Sequence, residues 1–114
     1  MAANLRKWGT GGLRRNSPET PFLDVIADGQ TPKRERDLAP HPSLKPQRFL
    51  RQLVRALLPT GSGVVLDPFA GCASTLAACE FLGVDGVGVE LDRHFWELAH
   101  TALPALAGLT PASR

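Results

Sequence analysis

The pattern of apolar and polar positions changes character near residue 40. Residues 1–46 run through GTGG, NSPETP, DGQTPKRERD and APHPSLKP without a sustained period of 2 or 3.6. That pattern predicts loop or linker backbone, with one short strand around residues 22–26. After Pro46, Leu50, Leu53, Val54, Leu57 and Leu58 recur at helical spacing while Arg48, Arg51 and Arg55 line another face. An amphipathic helix over residues 47–58 follows, ended by the PTGSG run at 59–63.

A strand–helix–strand–helix run comes next. Val64, Val65 and Leu66 read as a short buried strand that ends at Asp67. The alanine-rich stretch from Ser74 to Leu82 reads as a helix stopped at Gly83, a residue suited to a left-handed C-terminal cap. GVGVE (86–90) reads as a second strand, with Glu90 at its end. Asp92 then suits the N-cap of a last helix over residues 93–106, which Pro104 ends or kinks. Strands and helices alternating at this interval predict a parallel, right-handed α/β unit. The expected architecture is thus a partial Rossmann-like β-α-β-α fold with an irregular N-terminal segment. Two strands are too few for a finished sheet.

Composition narrows the class. A chain of 114 residues has room for one small domain, and its ten prolines and eleven glycines indicate much irregular backbone. No apolar run approaches the ~18 residues of a membrane span, and the N-terminus lacks the apolar core of a signal peptide. Cys72 and Cys79 form neither a disulfide framework nor a zinc pattern, which fits a reduced, cytoplasmic setting. The net charge of +2 hides an asymmetry. Residues 1–51 hold ten Lys/Arg against five Asp/Glu, and residues 52–114 hold three against six. A polyanion would therefore meet the front half, through Arg14, Arg15, Lys33, Arg34 and Arg36; a solvated basic tail is the simpler alternative.

Candidate chemistry lies at the carboxyl ends of the two strands, where open α/β sheets bind ligands. In VVLDPFAGCAST (64–75), the small residues Ala70, Gly71, Cys72 and Ala73 let a ligand approach the backbone closely. The N–H groups of the following helix can receive a carboxylate or another oxygen-rich group. Glu90 stands 23 residues after Asp67, about where an acid would hydrogen-bond a ribose diol. The loop alone is a weak signal, since a turn with a Ser/Thr helix start explains it without any ligand. His94 and His100 read as surface residues without metal-ligand spacing, and Phe95 and Trp96 as packing residues. Cys72 reads as a small residue in a tight place, with no paired base to make it a nucleophile.

Taken in order, HPSLKP (41–46), an amphipathic helix, LDPFAGCAST (66–75) and GVGVELD (86–92) closely resemble the S-adenosyl-L-methionine-binding half of DNA amino-methyltransferases. These enzymes methylate adenine N6 or cytosine N4 in bacteria and phages, commonly within restriction–modification. In the permuted β class, a motif resembling HPxxKP precedes the DPFxGxGTT-like motif, as it does here. The resemblance covers residues 41–100; GTGGLRR (9–15) is also similar to a stretch upstream of these motifs in some members. It implies that His41, Pro42, Lys45 and Pro46 shape one wall of the cofactor pocket near the methionine end. Asp67, Pro68, Phe69, Ala70, Gly71, Ser74 and Thr75 would form the loop under methionine and ribose. Glu90 would hold the ribose hydroxyls, and Leu91 would pack against adenine. Residues 41–108 would be the cofactor-binding part, residues 1–40 an irregular basic linker or DNA-contacting segment, and residues 109–114 a tail.

Two positions depart from the family pattern. Ala73 stands where a second glycine is usual, which is tolerable if its φ is negative. Arg93 replaces a common proline after the acid. A larger departure is the absence of Asp/Asn/Ser-Pro-Pro-Tyr/Phe/Trp, the sequence that holds the flipped target base in this family. Asp67-Pro68-Phe69 has a single proline and belongs to the cofactor loop, and Ser17-Pro18-Glu19 and Thr20-Pro21-Phe22 are not convincing substitutes. In the β order that motif lies upstream of HPxxKP. The expectation is therefore a C-terminal part of a methyltransferase (a truncated gene, an internal start or one piece of a split enzyme). Such a part would be poorly stable and inactive alone, acting on DNA with a partner chain that supplies the catalytic half. Two alternatives stand beside it. One is a non-catalytic cofactor- or DNA-binding subunit of a modification assembly. The other is a Rossmann-type dinucleotide-binding piece, against which DPFAG argues.

Overall fold

The computed structural model describes Ile26, residues 29–58 and residues 61–110. The expected strand near residues 22–26 and the GTGGLRR segment lie outside these residues, apart from Ile26, which has no regular structure. Helix α1 (Lys33–Leu38) starts directly after Pro32, whose carbonyl accepts the N–H groups of Glu35 and Arg36. The expectation of irregular backbone over residues 1–46 missed it, because six residues are too few to display a helical period.

Helix α2 (Gln47–Leu57) begins right after Pro46, with φ fixed at −65° at the last residue of HPSLKP. The expected division of its faces is corrected in one respect. Arg51 does not join Arg48 and Arg55; it is 7% exposed and lies in phase with Gln47, Leu50 and Val54. Leu57, expected on the apolar stripe, is half exposed. The guanidinium of Arg51 sits 3.6 Å above the centre of the Phe81 ring. Its Nη2 donates to the carbonyls of Leu106 (3.0 Å) and Ala107 (3.4 Å). A cation thus meets the carbonyl end of the last helix, where the helix dipole favours positive charge.

Strands β1 (Val64–Asp67) and β2 (Asp85–Gly88) pair in parallel, with Val65 opposite Gly86 and Leu66 opposite Val87. β2 is shorter than expected, so Glu90 lies two residues beyond it rather than at its end. Between the strands, α3 (Ser74–Leu82) closes on a left-handed Gly83, as its sequence indicates. Asp92 caps α4 (Arg93–Ala107) by accepting the N–H groups of His94 and Phe95. Pro104 sits inside α4 without ending it, and its own carbonyl accepts the N–H of Gly108.

The composition of α3 explains the packing. Its buried Ala77, Ala78 and Cys79 are small, so neighbours can close on it from two sides. On one side Leu50 and Val54 of α2 meet Val65, Ala78 and Cys79; on the other, Ala39, Cys72 and Ala77 meet Ala102 and Leu106. Each fully buried leucine or valine contributes about 1.5–3 kcal/mol. α3 also lies on the sheet, where Gly88 leaves room for Leu76: a Cβ there would come within 2.7 Å of the Leu76 side chain.

Among the described residues, all of this packing is on one side of the sheet. The opposite face presents Val64, Leu66 at 65% and Val87 at 52% exposure, so the expectation of a buried first strand holds for Val65 and not for its neighbours. Parallel sheets are ordinarily covered on both faces. No helix among the described residues is long and apolar enough to cross a membrane.

Candidate cofactor site

The loop after β1 turns sharply over residues 68–73 and delivers the chain into α3. Asp67 Oδ1 accepts the N–H of Phe69 at 3.0 Å, and the Asp67 carbonyl accepts the N–H of Val89. Ala70 donates its N–H to the Val89 carbonyl and accepts that of Ala73. These bonds lash the loop to the segment after β2. Gly71 has φ +54°, a region that strongly favours glycine.

The same loop contains a strained residue. Ala73 has φ +64° and ψ +32°, so the condition under which alanine would fit comfortably is not met. A left-handed non-glycine residue costs roughly 1–2 kcal/mol. The residue is 2% exposed and donates to the Ala70 carbonyl, so the surrounding loop imposes its conformation. As N-cap of α3, alanine has no side-chain acceptor, and no side chain among the described residues caps this helix. Its first-turn N–H groups are therefore available to an incoming carboxylate.

HPSLKP forms the wall beside the loop. The His41 ring packs on Phe95 of α4 with centroids 4.3 Å apart. A Cβ at Gly71 would approach His41 Nε2 to 3.1 Å, so imidazole and loop are in close contact. His41 Nδ1 accepts the N–H of Ser43, which leaves its proton on Nε2 in the neutral ring. His41, Lys45, Asp67, Phe69, Ala70, Gly71, Ser74 and Thr75 all border one cleft of about 220 Å3. The structure thus brings eight expected site residues together. Pro42 and Pro46 do not border the cleft; Pro46 instead begins α2.

Glu90 stands at the other side of the loop. Its Oε2 accepts the N–H of Gly71 at 2.6 Å and its Oε1 accepts that of Asp92 at 2.9 Å. Each carboxylate oxygen keeps a further lone pair for a ligand hydroxyl. Glu90 borders a second cleft, of about 190 Å3, whose apolar floor is Leu76, Gly88 and Ala99 and whose rim carries Trp96 and His100. Ala70 and Gly71 border both clefts, so one loop separates two adjoining spaces. Leu91 is fully exposed and touches neither cleft.

Sequence reading missed several contributors. Gln47 is fully buried, and its Nε2 donates to the carbonyl of Ser74, the first residue of α3, at 2.7 Å. A polar residue in phase with Leu50 and Val54 was the available signal. The Trp96 and His100 rim carried no signal beyond two aromatic residues four apart on a helix. The expected surface position of His94 and His100 and the packing role of Phe95 agree with the structure, whereas Trp96, expected to pack, is half exposed and lies edge-on to His100. Lys33 pairs with Asp37, Arg34 donates to the Thr110 carbonyl and Arg36 to that of Thr31. Arg14 and Arg15 lie outside the described residues. Burial pushes the thiols of Cys72 and Cys79 above their ordinary range, with Glu90 and Asp67 respectively adding to the effect. Neither thiol is poised as a nucleophile. Among the described residues no cluster of three His, Cys, Asp or Glu side chains could hold a metal.

The chain is similar to known proteins in sequence and in fold. A family model described as DNA methylase matches residues 7–101. Type II methyltransferase M.HpaI of Haemophilus parainfluenzae is 31% identical over 64 residues, which are 56% of this chain and 20% of that protein. Type II methyltransferase M2.DpnII of Streptococcus pneumoniae is 29% identical over 82 residues, 72% of this chain and 30% of its own length. Among solved structures, the M1.HpyAVI–SAM complex superposes with a TM-score of 0.63 at 22% identity, covering 80% of this chain and 44% of that one. A putative DNA modification methylase from Thermus thermophilus, complexed with S-adenosyl-L-methionine, gives 0.50 at 21% identity, covering 83% and 51%. These two likenesses establish the fold as that of a partial Rossmann-like methyltransferase, and the chain spans less than a third of the curated relatives. With the family model matching most of its length, the chain belongs to the DNA methylase family of N6/N4 methyltransferases.

Proposed function

We propose that these residues form the S-adenosyl-L-methionine-binding part of a DNA methyltransferase acting on the exocyclic amine of adenine or cytosine. The observation that carries this reading is the pair of clefts divided by the loop after β1. One has the uncapped start of α3 and Lys45; the other has Glu90. An amino-acid carboxylate suits the first set of donors, and a ribose diol suits the second acceptor. His41 and Lys45 wall the methionine end, with Pro42 and Pro46 shaping that segment. Asp67, Pro68, Phe69, Ala70, Gly71, Ser74 and Thr75 form the loop beneath the ligand. Leu91, fully exposed among the described residues, would pack against the adenine. When bound, the cofactor supplies the methyl group; the residues here hold and orient it.

Base binding needs an aromatic platform and acceptors for the amine. No Pro-Pro-aromatic sequence occurs within these 114 residues. In the proposed reading, polypeptide outside them supplies it and covers the apolar sheet face of Val64, Leu66 and Val87. A non-catalytic subunit of a modification assembly is the second reading, favoured by the same missing motif.

Calorimetry of the chain with S-adenosyl-L-methionine, against NAD as the contrasting ligand, tests the cofactor assignment. Binding of S-adenosyl-L-methionine alone is expected; preference for NAD refutes it. Labelled cofactor and DNA test the remainder. The chain by itself should transfer no methyl group, and unaided transfer by contaminant-free protein overturns the need for a complementing part.

A further inference from the structure

Helix α1 reaches the cofactor loop through a buried polar chain. Glu35 is 1% exposed, and its Oε2 accepts the backbone N–H of Gln47 at 2.9 Å. That N–H is the first of α2, which has no side-chain cap of its own, so a carboxylate 12 residues upstream takes the capping place. The Gln47 side chain then donates from Nε2 to the carbonyl of Ser74. Ser74 follows the left-handed Ala73 directly. Gln47 Oε1 and Arg51 Nε and Nη1 are buried without hydrogen-bond partners among the described residues, so the Ser74 carbonyl is the partner that anchors the Gln47 side-chain amide.

We infer that Gln47 is a positioning residue for the cofactor loop, held in place by Glu35 and acting through the Ser74 carbonyl. Three features support the assignment. Gln47 is fully buried, so its hydrogen bond works in a medium where losing a partner is costly. The bond spans 27 residues and joins the helix after HPSLKP to the start of α3. It fixes the chain immediately beyond Ala73, whose left-handed backbone needs external restraint. Glu35 acts at one remove: it sets the start of α2, and therefore where the Gln47 amide points. The stretch before HPSLKP is in this way part of the cofactor site although it borders neither cleft.

The test uses the full chain and two variants. Gln47→Met keeps the side-chain volume and removes the donor; Glu35→Gln keeps an acceptor for the Gln47 N–H and removes the charge. Amide hydrogen exchange is followed at residues 71–75 and, for comparison, in α4. In Gln47→Met the loop amides should exchange faster while those of α4 keep their wild-type protection. Glu35→Gln should affect the same amides less. Affinity for S-adenosyl-L-methionine should fall roughly 3- to 10-fold in Gln47→Met, the equivalent of one hydrogen bond. Faster exchange spread evenly over loop and α4, or an unchanged loop, overturns the inference, since a purely structural residue gives those results. This inference rests on the cofactor reading for its affinity arm. If wild-type chain fails to bind S-adenosyl-L-methionine, that reading falls, and the exchange comparison still decides the role of Gln47.

Discussion

Glu90 Oε2 lies 2.6 Å from the backbone nitrogen of Gly71, so the acid beyond β2 is fastened to the loop beyond β1. Its other oxygen takes the N–H of Asp92. One carboxylate therefore braces the loop and the start of α4 and still has lone pairs for a ligand. Replacing it by glutamine removes the charge and turns one acceptor into a donor facing an N–H. Glu90→Gln should weaken S-adenosyl-L-methionine binding at least 10-fold by calorimetry, since hydrogen bonds to charged groups are worth about 1.5–3 kcal/mol. A variant that binds as wild type removes Glu90 from the cofactor site.

The backbone at Ala73 gives a prediction of opposite sign. Glycine adopts φ +64° without the steric cost alanine bears there, against a small loss from the greater freedom of the unfolded chain. Ala73→Gly should stabilise the chain by about 1 kcal/mol, seen as a higher urea midpoint at unchanged slope. A lower midpoint means that Ala73 does not hold the left-handed conformation.

The two buried thiols set a limit at alkaline pH. Burial raises both above the ordinary value of 9.0, so the folded chain retains thiol protons that the unfolded chain gives up. A raised folded value means that stability is complete below the unfolded value and declines as pH rises through and beyond it. Urea midpoints should fall as the pH is raised through the unfolded thiol value, and Cys72→Ala with Cys79→Ala should flatten that fall. Thiol reagents should label both residues quickly only in denaturant.

The sheet face left exposed among the described residues predicts a separation of effects. Leu66 and Val87 face each other across the strand pair and belong to neither core cluster, so Leu66→Thr with Val87→Thr should change the stability of this chain by within about ±0.5 kcal/mol. The same pair should abolish association with a polypeptide carrying the base-binding motif, measured by co-purification and by restored methylation. Full complementation by the double variant refutes that face as the joining surface.

Local sequence determined the elements that rest on neighbours in the chain. The extent of α2, the Gly83 stop and the Asp92 cap follow from interactions within about four residues, and each stands where the sequence put it. The candidate site was legible for a related reason: HPSLKP, LDPFAGCAST and GVGVELD are contiguous stretches, and most of their expected residues meet around one loop. Tertiary structure decided what depends on distant partners. Arg51 looks like a surface cation until the carbonyl end of α4, 55 residues away, and the Phe81 ring give it a buried place. α1 is too short to announce itself, and packing against α4 and Gln47 sustains it. Ala73 has the side chain of a residue that avoids positive φ, yet it holds φ +64° in a loop whose Ala70 and Gly71 N–H groups are tied to Val89 and Glu90. The physical division is one of range: periodicity and caps are local and can be read from the chain, whereas burial of a charge, loop strain and the exposure of a sheet face depend on what the fold brings beside them.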